Sequence, residues 1–159
     1  FKDAMAILTE AGLTNFIQKI VAESKPLLGI CLGMQLLFDE SEENGLTKGL
    51  SLLPGKVVKI PDTIEGNTLK VPHMGWNNLE IRNHSPLLQD IDSGYAYFVH
   101  SYYIDTEQGD TLLATADYGV DVPAVVGKGN VYGTQFHPEK SSELGLAILK
   151  NYIKIVEGE

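Results

Sequence analysis

The only cysteine of the 159-residue chain, Cys31, lies between two glycines in residues 29–33 (GICLG). A short apolar run before it predicts a strand buried on both faces, and residues 32–39 predict a helix. Such a strand–turn–helix segment presents a reactive side chain at the end of the strand, and the positive end of the helix stabilises a thiolate. Cys31 is therefore a candidate nucleophile, although free cysteines are often only small buried apolar residues.

A second candidate segment comprises residues 133–139 (GTQFHPE), where His137 follows a predicted strand and Glu139 lies two residues further along. A thiol nucleophile needs a nearby base, and the base needs an acceptor that fixes its tautomer and orientation. This segment offers His137 as the base and Glu139 as the acceptor. The alternative interpretation is a histidine at a strand end beside a solvated glutamate.

The elements that must position these residues predict an α/β fold. Two helical patterns precede the strand that leads to Cys31, a series of strands falls within residues 50–135, and a final helix spans residues 142–156. Residues 127–130 (GKGN) predict a hairpin turn. This order indicates a central, mostly parallel sheet that is flanked by helices and carries antiparallel additions. The length and the 43% hydrophobic composition favour a single domain over residues 1–159.

Composition argues against several functions. With 12 basic and 21 acidic residues, a net charge of −9 and no basic cluster, the chain is a poor candidate for binding nucleic acid or anionic membranes. The longest apolar stretch, residues 26–38, is shorter than the ~20 residues of a membrane span. A lone cysteine fits a reducing compartment, and the scattered histidines lack metal-ligand spacing. We expect a cytoplasmic protein without a metal or other cofactor.

Residues 29–35 (GICLGMQ) and 135–139 (QFHPE) together resemble the two signatures of the class I, or triad, glutamine amidotransferases. The resemblance extends over nearly the whole chain. Three further segments resemble, within this family, the glutaminase subunits of bacterial-type imidazole glycerol phosphate synthases. They are residues 72–77 (PHMGWN), 97–102 (YFVHSY) and 140–142 (KSS), and the first is the most specific of the three.

The resemblance implies a reaction and a set of site residues. Cys31 would attack the side-chain amide of glutamine, His137 would protonate the departing ammonia and later activate water, and Glu139 would hold the imidazole. The likeness also implies six residues around the substrate, the first through its backbone N–H as an oxyanion donor: Leu32, Gln35, Glu43, His100, Ser101 and Tyr102. Alternatively, Glu43 belongs to a solvated acidic helix end and His100 is an ordinary strand residue.

The resemblance also implies a partner subunit, because free ammonia would be protonated and lost in bulk water. In the resembling subfamily the partner is a (β/α)₈-barrel cyclase, which uses the ammonia to make imidazole glycerol phosphate in histidine biosynthesis. The expected interface residues are Met74, Trp76, Asn77 and Lys140. An aromatic anchor such as Trp76 is a common interface hot spot. Core packing would also explain Trp76, and Lys140 could be a free surface lysine.

The start of the chain departs from the family pattern. Family members carry roughly fifty residues before the position of Phe1, which supply the first strands of the sheet, and without them a sheet edge stays unpaired. A segment just before Phe1 also completes the oxyanion hole in the family. We therefore expect the sequence to represent part of a longer protein.

Three other functions fit parts of the sequence. A cysteine hydrolase of related topology could act on peptides or small thioesters, although Glu139 and residues 33–35 (GMQ), which follow Cys31, favour glutamine. An amidotransferase could serve purine, pyrimidine, folate or tryptophan synthesis, against which the PHMGWN segment argues. A non-catalytic partner-binding subunit is the third, and the intact set of Cys31, His137 and Glu139 argues against it.

Overall fold

The computed structural model describes residues 1–158, which form four helices, twelve strands and three short 3-10 turns. The helices are α1 (Lys2–Glu10), α2 (Leu13–Ala22), α3 (Leu32–Leu36) and α4 (Ser142–Val156). The strands are β1 (Leu27–Ile30), β2 (Glu40–Ser41), β3 (Thr47–Lys48), β4 (Lys56–Lys59), β5 (Thr63–Ile64), β6 (Asn67–Thr68), β7 (His73–Ile81), β8 (Ser93–His100), β9 (Tyr102–Asp105), β10 (Leu112–Asp117), β11 (Asp121–Lys128) and β12 (Val131–Thr134). The 3-10 turns are Pro86–Leu88, Gly109–Thr111 and Pro138–Lys140.

The main sheet has six strands in the order β1-β12-β11-β10-β7-β8. Only β1 and β12 pair in parallel, and the other four pairings are antiparallel. The prediction of an α/β fold therefore holds, but the prediction of a mostly parallel central sheet is wrong for residues 1–158. The physical reason is the length of the connections. Residues 118–120 and 129–130 join β10, β11 and β12, and such short turns allow only antiparallel pairing.

The single parallel pair of the main sheet joins distant parts of the sequence. Leu27 is opposite Val131 and Ile30 is opposite Thr134, so β1 and β12 end at the same level. The residues that follow both strands consequently lie at the same edge of the sheet. This arrangement brings Cys31 close to the segment that contains His137.

A smaller sheet contains β3, β2, β4 and β9 in that order, and β5 pairs with β6. The chain passes from the main sheet to this smaller sheet at Ser101, the one residue between β8 and β9. A change of sheet within two residues turns the backbone sharply. The polar segment at this junction therefore faces the region near Cys31 rather than continuing one long strand.

Two apolar clusters stabilise the fold, and each buried large side chain contributes about 1.5–3 kcal/mol. The first lies between α4 and the main sheet, and includes Leu79, Phe98, Phe136 and Ile148. The second joins α1, α3 and the smaller sheet, and includes Met5, Met34, Phe38, Val57 and Ile104.

The predicted final helix and hairpin turn are confirmed, since α4 spans Ser142–Val156 and Gly129 has φ 61° in the turn before β12. The helix after Cys31 is shorter than predicted and ends at Leu36. The carbonyls of residues 36–38 accept hydrogen bonds from the backbone N–H groups of residues 50–53. These bonds stop the helix because they replace its own pattern.

Candidate active site

Cys31 occupies a strained turn between β1 and α3, with φ 54° and ψ −110°. Its backbone N–H donates to the carbonyl of Thr134 on β12 at 2.8 Å. Gly29 is required below this turn, because a Cβ there would lie 2.5 Å from the carbonyl oxygen of Gly33. The turn is thus held by β1 and β12 and presents the thiol at the sheet edge, as the sequence predicts for a strand–turn–helix segment. This turn at Cys31, between β1 and α3, is called the elbow below.

His137 and Glu139 form the shortest side-chain contact of the site. His137 Nδ1 lies 2.6 Å from Glu139 Oε1. An ionised carboxylate can only accept, so Nδ1 carries the hydrogen and Nε2 of the neutral ring keeps its lone pair. Ser141 fixes the turn around them, since its hydroxyl donates to the His137 carbonyl at 2.7 Å and accepts from the Tyr97 N–H at 2.9 Å. His137 therefore has the tautomer that a general base needs.

The Cys31 thiol is half-buried among polar groups. Its sulfur lies 3.8 Å from the Val99 carbonyl oxygen and 3.8 Å from Gln135 Nε2. Burial raises the pKa of the thiol above its usual value, and hydrogen bonds from the Leu32 N–H and from Gln135 oppose that rise. Within residues 1–158, the hydrogen bonds of this sulfur do not include one to His137, so direct proton transfer between the two side chains requires a closer approach than the structure shows.

A cavity of about 410 Å³ opens beside the thiol. All six residues for which a substrate contact is predicted line it together with Cys31. Two further lining residues, Asn44 and Val99, were not predicted from the sequence, because neither has a side chain whose chemistry distinguishes it. The lining comprises Cys31, Leu32, Gln35, Glu43, Asn44, Val99, His100, Ser101 and Tyr102.

Hydrogen bonds to one carbonyl organise the cavity wall. Tyr102 O accepts from Gln35 Nε2 at 2.9 Å and from His100 Nδ1 at 2.9 Å. Burial lowers the pKa of His100 to about 4, so the ring is neutral near pH 7. Glu43 is half-buried in the connection between β2 and β3. The alternative of a solvated helix end is therefore wrong for Glu43.

The predicted interface residues lie outside this cavity. Met74 and Trp76 alternate along β7 and are 60% and 55% exposed, so core packing does not explain Trp76. Trp76 contacts Tyr97 of β8 in an edge-to-face arrangement, with 5.8 Å between the ring centroids. Asn77 is half-buried. Lys140 is exposed, and its charge lowers the pKa of the nearby Cys31 thiol.

Residues 1–158 contain no group of three His, Cys, Asp or Glu side chains that could hold a metal ion. No helix in this described part of the chain is long and apolar enough to cross a membrane.

Known proteins resemble the chain in sequence and in fold. The family described as glutamine amidotransferase class-I matches residues 9–155. The imidazole glycerol phosphate synthase subunit HisH of Geobacillus sp. (strain WCH70) is 66% identical over 160 residues, which cover 100% of this chain and 76% of the relative. The protein of that name from Bacillus subtilis (strain 168) is 60% identical over 156 residues, covering 98% of this chain and 74% of the relative.

Two crystal structures share the fold at low sequence identity. A glutamine amidotransferase has a TM-score of 0.66 at 21% identity, covering 97% of this chain and 72% of the other. A second, from Thermotoga maritima, has a TM-score of 0.61 at 19% identity, covering 99% and 59%.

Proposed function

Because this chain belongs to the class I glutamine amidotransferases, as a HisH-type glutaminase subunit of imidazole glycerol phosphate synthase, we propose that its catalytic triad is Cys31, His137 and Glu139. The observation that carries this assignment is the register of β1 and β12. It sets the elbow that bears Cys31 beside the segment that bears the paired His137 and Glu139.

The first half of the reaction forms a thioester. The Cys31 proton passes to His137 Nε2, and the thiolate attacks the side-chain carbonyl carbon of glutamine. The negative oxygen that forms accepts a hydrogen bond from the Leu32 N–H. His137 then gives its proton to the nitrogen of the tetrahedral intermediate, and the carbon–nitrogen bond breaks to release ammonia. Glu139 stabilises the imidazolium that exists between these transfers.

The second half of the reaction regenerates the thiol. Water attacks the thioester carbonyl while His137 Nε2 accepts its proton. The carbon–sulfur bond then breaks, glutamate leaves, and the proton returns to the Cys31 sulfur. Each proton transfer uses Nε2 of His137, so the hydrogen bond between His137 Nδ1 and Glu139 must persist through the cycle.

The cavity beside Cys31 supports glutamine as the substrate, because its wall combines hydrogen-bond donors and acceptors. We assign the substrate α-amino and α-carboxylate groups to the stretch from His100 to Tyr102, and further contacts to Gln35 and Glu43. Glu43 adds a negative charge to the same cavity, which favours a substrate that carries an ammonium group. Ser101 offers a hydroxyl donor for a carboxylate.

The relatives are named as subunits of a synthase, which implies a partner subunit for this chain. We assign that role to a (β/α)₈-barrel cyclase in histidine biosynthesis, and its docking surface to Met74, Trp76, Asn77 and Lys140. Exposed apolar side chains on β7 suit such a contact. A thiolate nucleophile must stay reduced, so we place the reaction in the cytoplasm.

The decisive experiment measures glutamate release from glutamine by the full-length protein, alone and with the cyclase and its ribonucleotide ligand, beside the Cys31→Ala variant. We expect release that depends on Cys31 and that rises when the liganded cyclase is added. Release that persists in Cys31→Ala would refute the triad. Release that depends on Cys31 but ignores the cyclase would refute the assigned partner and keep the glutaminase.

A further inference from the structure

A series of buried amide groups leads from the cavity wall to the Cys31 sulfur. Gln35 Nε2 donates to the Tyr102 carbonyl at 2.9 Å and to Gln135 Oε1 at 3.1 Å. Gln135 Nε2 in turn lies 3.8 Å from the Cys31 sulfur. Gln135 is fully buried and Gln35 is 4% exposed, so water does not compete for these bonds. The triad reaction described above gives no role to Gln135.

The orientation of both amides follows from one unambiguous acceptor. A backbone carbonyl cannot donate, so the group of Gln35 that faces Tyr102 must be its NH₂. The second hydrogen of that NH₂ points to Gln135, which must therefore present its oxygen. The NH₂ of Gln135 is then the group that faces Cys31. The backbone of Gln135 is also fixed, because its N–H donates to the Ala124 carbonyl of β11 at 2.8 Å.

Beside the Leu32 N–H, the Cys31 sulfur has two partners that favour opposite protonation states. The Val99 carbonyl can only accept, so it stabilises the neutral thiol, in which the S–H donates. The Gln135 NH₂ can only donate, so it stabilises the thiolate. Burial raises the pKa of the thiol, and hydrogen bonds from the Leu32 N–H and then from the Gln135 amide lower it. A half-buried nucleophile needs such a donor because it lacks water to solvate its charge.

We propose that Gln135 is a catalytic residue, whose side-chain amide stabilises the Cys31 thiolate, and that Gln35 is a positioning residue, which holds Gln135 in this orientation through the Tyr102 carbonyl. This inference rests on the proposed glutaminase reaction. In that reaction the Cys31 proton moves to His137 Nε2, and Gln135 transfers no proton.

The two hydrogen bonds of the Gln35 NH₂ determine which of its atoms can contact glutamine. Both hydrogens of its NH₂ are engaged, one by Tyr102 O and the other by Gln135 Oε1. Its Oε1 is therefore the atom available to a ligand in the cavity, and that atom can only accept. Gln35 would contact an N–H donor of the substrate while it keeps Gln135 in place.

The test follows the thiol directly, without glutamine. In the full-length protein, the rate of Cys31 alkylation by iodoacetamide is measured against pH, with the labelled peptide identified by mass spectrometry. The variant is Gln135→Met, which keeps the size of the side chain and removes the donor. The matched control is Gln18→Met, which changes an exposed glutamine on α2. Both variants keep the charged and titratable groups near the thiol, which are Glu139, Lys140, Glu43 and His100, and both keep the proposed base His137.

We expect Gln135→Met to move the midpoint of the alkylation profile upwards by about one pH unit, which lowers the rate near pH 7 about tenfold. Gln35→Met should shift the midpoint in the same direction by less, because Gln135 stays but loses its orientation. Gln18→Met should match the wild type.

An unchanged midpoint in folded Gln135→Met would overturn the inference. If that variant does not fold, Gln135→Asn takes its place, because it keeps the amide but draws the donor away from the sulfur, and an unchanged midpoint there would overturn the inference as well. Failure of the proposed function has a different signature, namely glutamate release that survives in Cys31→Ala. The two failures are therefore distinguishable.

Discussion

His73 and His100 are opposite each other on β7 and β8, with His73 Nδ1 2.9 Å from His100 Nε2. The Tyr102 carbonyl fixes the tautomer of His100, because it accepts the hydrogen of His100 Nδ1 and so leaves His100 Nε2 as an acceptor. His73 must then donate from Nδ1 and accept at Nε2, where the Asn77 amide lies at 3.1 Å. This pattern requires both rings to be neutral. It links the wall of the glutamine cavity to Asn77, which we assign to the partner surface.

The first prediction concerns stability against pH. Burial lowers the pKa of both His73 and His100 from 6.5 to about 4, with the neighbouring ring adding to the effect on His73. The unfolded chain therefore binds more protons than the folded chain between pH 6.5 and pH 4. As far as these two histidines are concerned, the free energy of unfolding should be constant with pH above about 7.5 and fall as the pH drops through 6.5 towards 4, by about 1–2 kcal/mol per histidine at pH 5. Urea unfolding at pH 7.5 and pH 5.0 measures this.

The His73→Phe variant isolates the contribution of one ring. A phenyl ring keeps the stacking on Phe98 and Tyr118, whose centroids lie 4.6 and 4.1 Å from that of His73. It cannot titrate, so the loss of stability between the two pH values should be smaller than in the wild type. His84→Phe, which changes an exposed histidine, is the control and should keep the wild-type loss. Equal losses in all three proteins would contradict the prediction.

The second prediction concerns Glu139→Gln. An amide can donate to His137 Nδ1 and so favours the tautomer that lacks a lone pair on Nε2. We expect kcat for glutamine hydrolysis to fall roughly 10²- to 10⁴-fold with little change in KM, because the loss affects the transition state. Steady-state kinetics with the liganded partner measures both constants. Glu143→Gln, at an exposed position on α4, should keep wild-type kinetics, and a wild-type kcat in Glu139→Gln would exclude the orienting role.

The third prediction concerns Gly145 of α4, which packs directly on the Pro138 carbonyl. A Cβ at this position would overlap that carbonyl oxygen, so Gly145→Ala must push α4 away from the turn between His137 and Lys140. Such overpacking typically costs about 1–3 kcal/mol. We expect a lower unfolding temperature together with a lower kcat, because Pro138 separates His137 from Glu139.

Gly109→Ala is the control for this substitution. No atom outside its neighbours lies within 4 Å of a Cβ built on Gly109, and its φ is not positive. That variant should retain both the unfolding temperature and kcat. The prediction fails if Gly145→Ala behaves like Gly109→Ala in both measurements.

The sequence was sufficient where the pattern was local. The elbow at Cys31, the hairpin turn at residues 127–130 and the final helix all follow from short-range signals, and the structure contains each of them. The family motifs also predict a class I glutamine amidotransferase of the HisH glutaminase type, which the comparisons confirm.

Strand pairing could not be deduced in the same way. A buried strand has the same apolar composition in a parallel and in an antiparallel sheet, so the run before Cys31 correctly predicted one parallel strand but wrongly suggested a mostly parallel sheet. Gln135 was missed for a related reason. Its backbone position in the QFHPE segment was evident, but its role depends on Gln35, which lies a hundred residues away and meets it only in the fold.

The last prediction concerns the partner surface on β7. Trp76 is 55% exposed and rests on the edge of Tyr97, so its removal leaves both apolar clusters of the core untouched. A half-exposed tryptophan that becomes buried on docking is a typical hot spot, and its truncation commonly costs about 2 kcal/mol or more. We expect Trp76→Ala to weaken binding to the cyclase about 30-fold or more, as measured by isothermal titration calorimetry, with an unchanged unfolding temperature. Phe16→Ala, which removes another aromatic residue of 55% exposure from α2, is the matched control and should bind like the wild type. Wild-type affinity in both variants would show that the cyclase docks elsewhere, whereas an equal loss in both would point to a general effect on the fold.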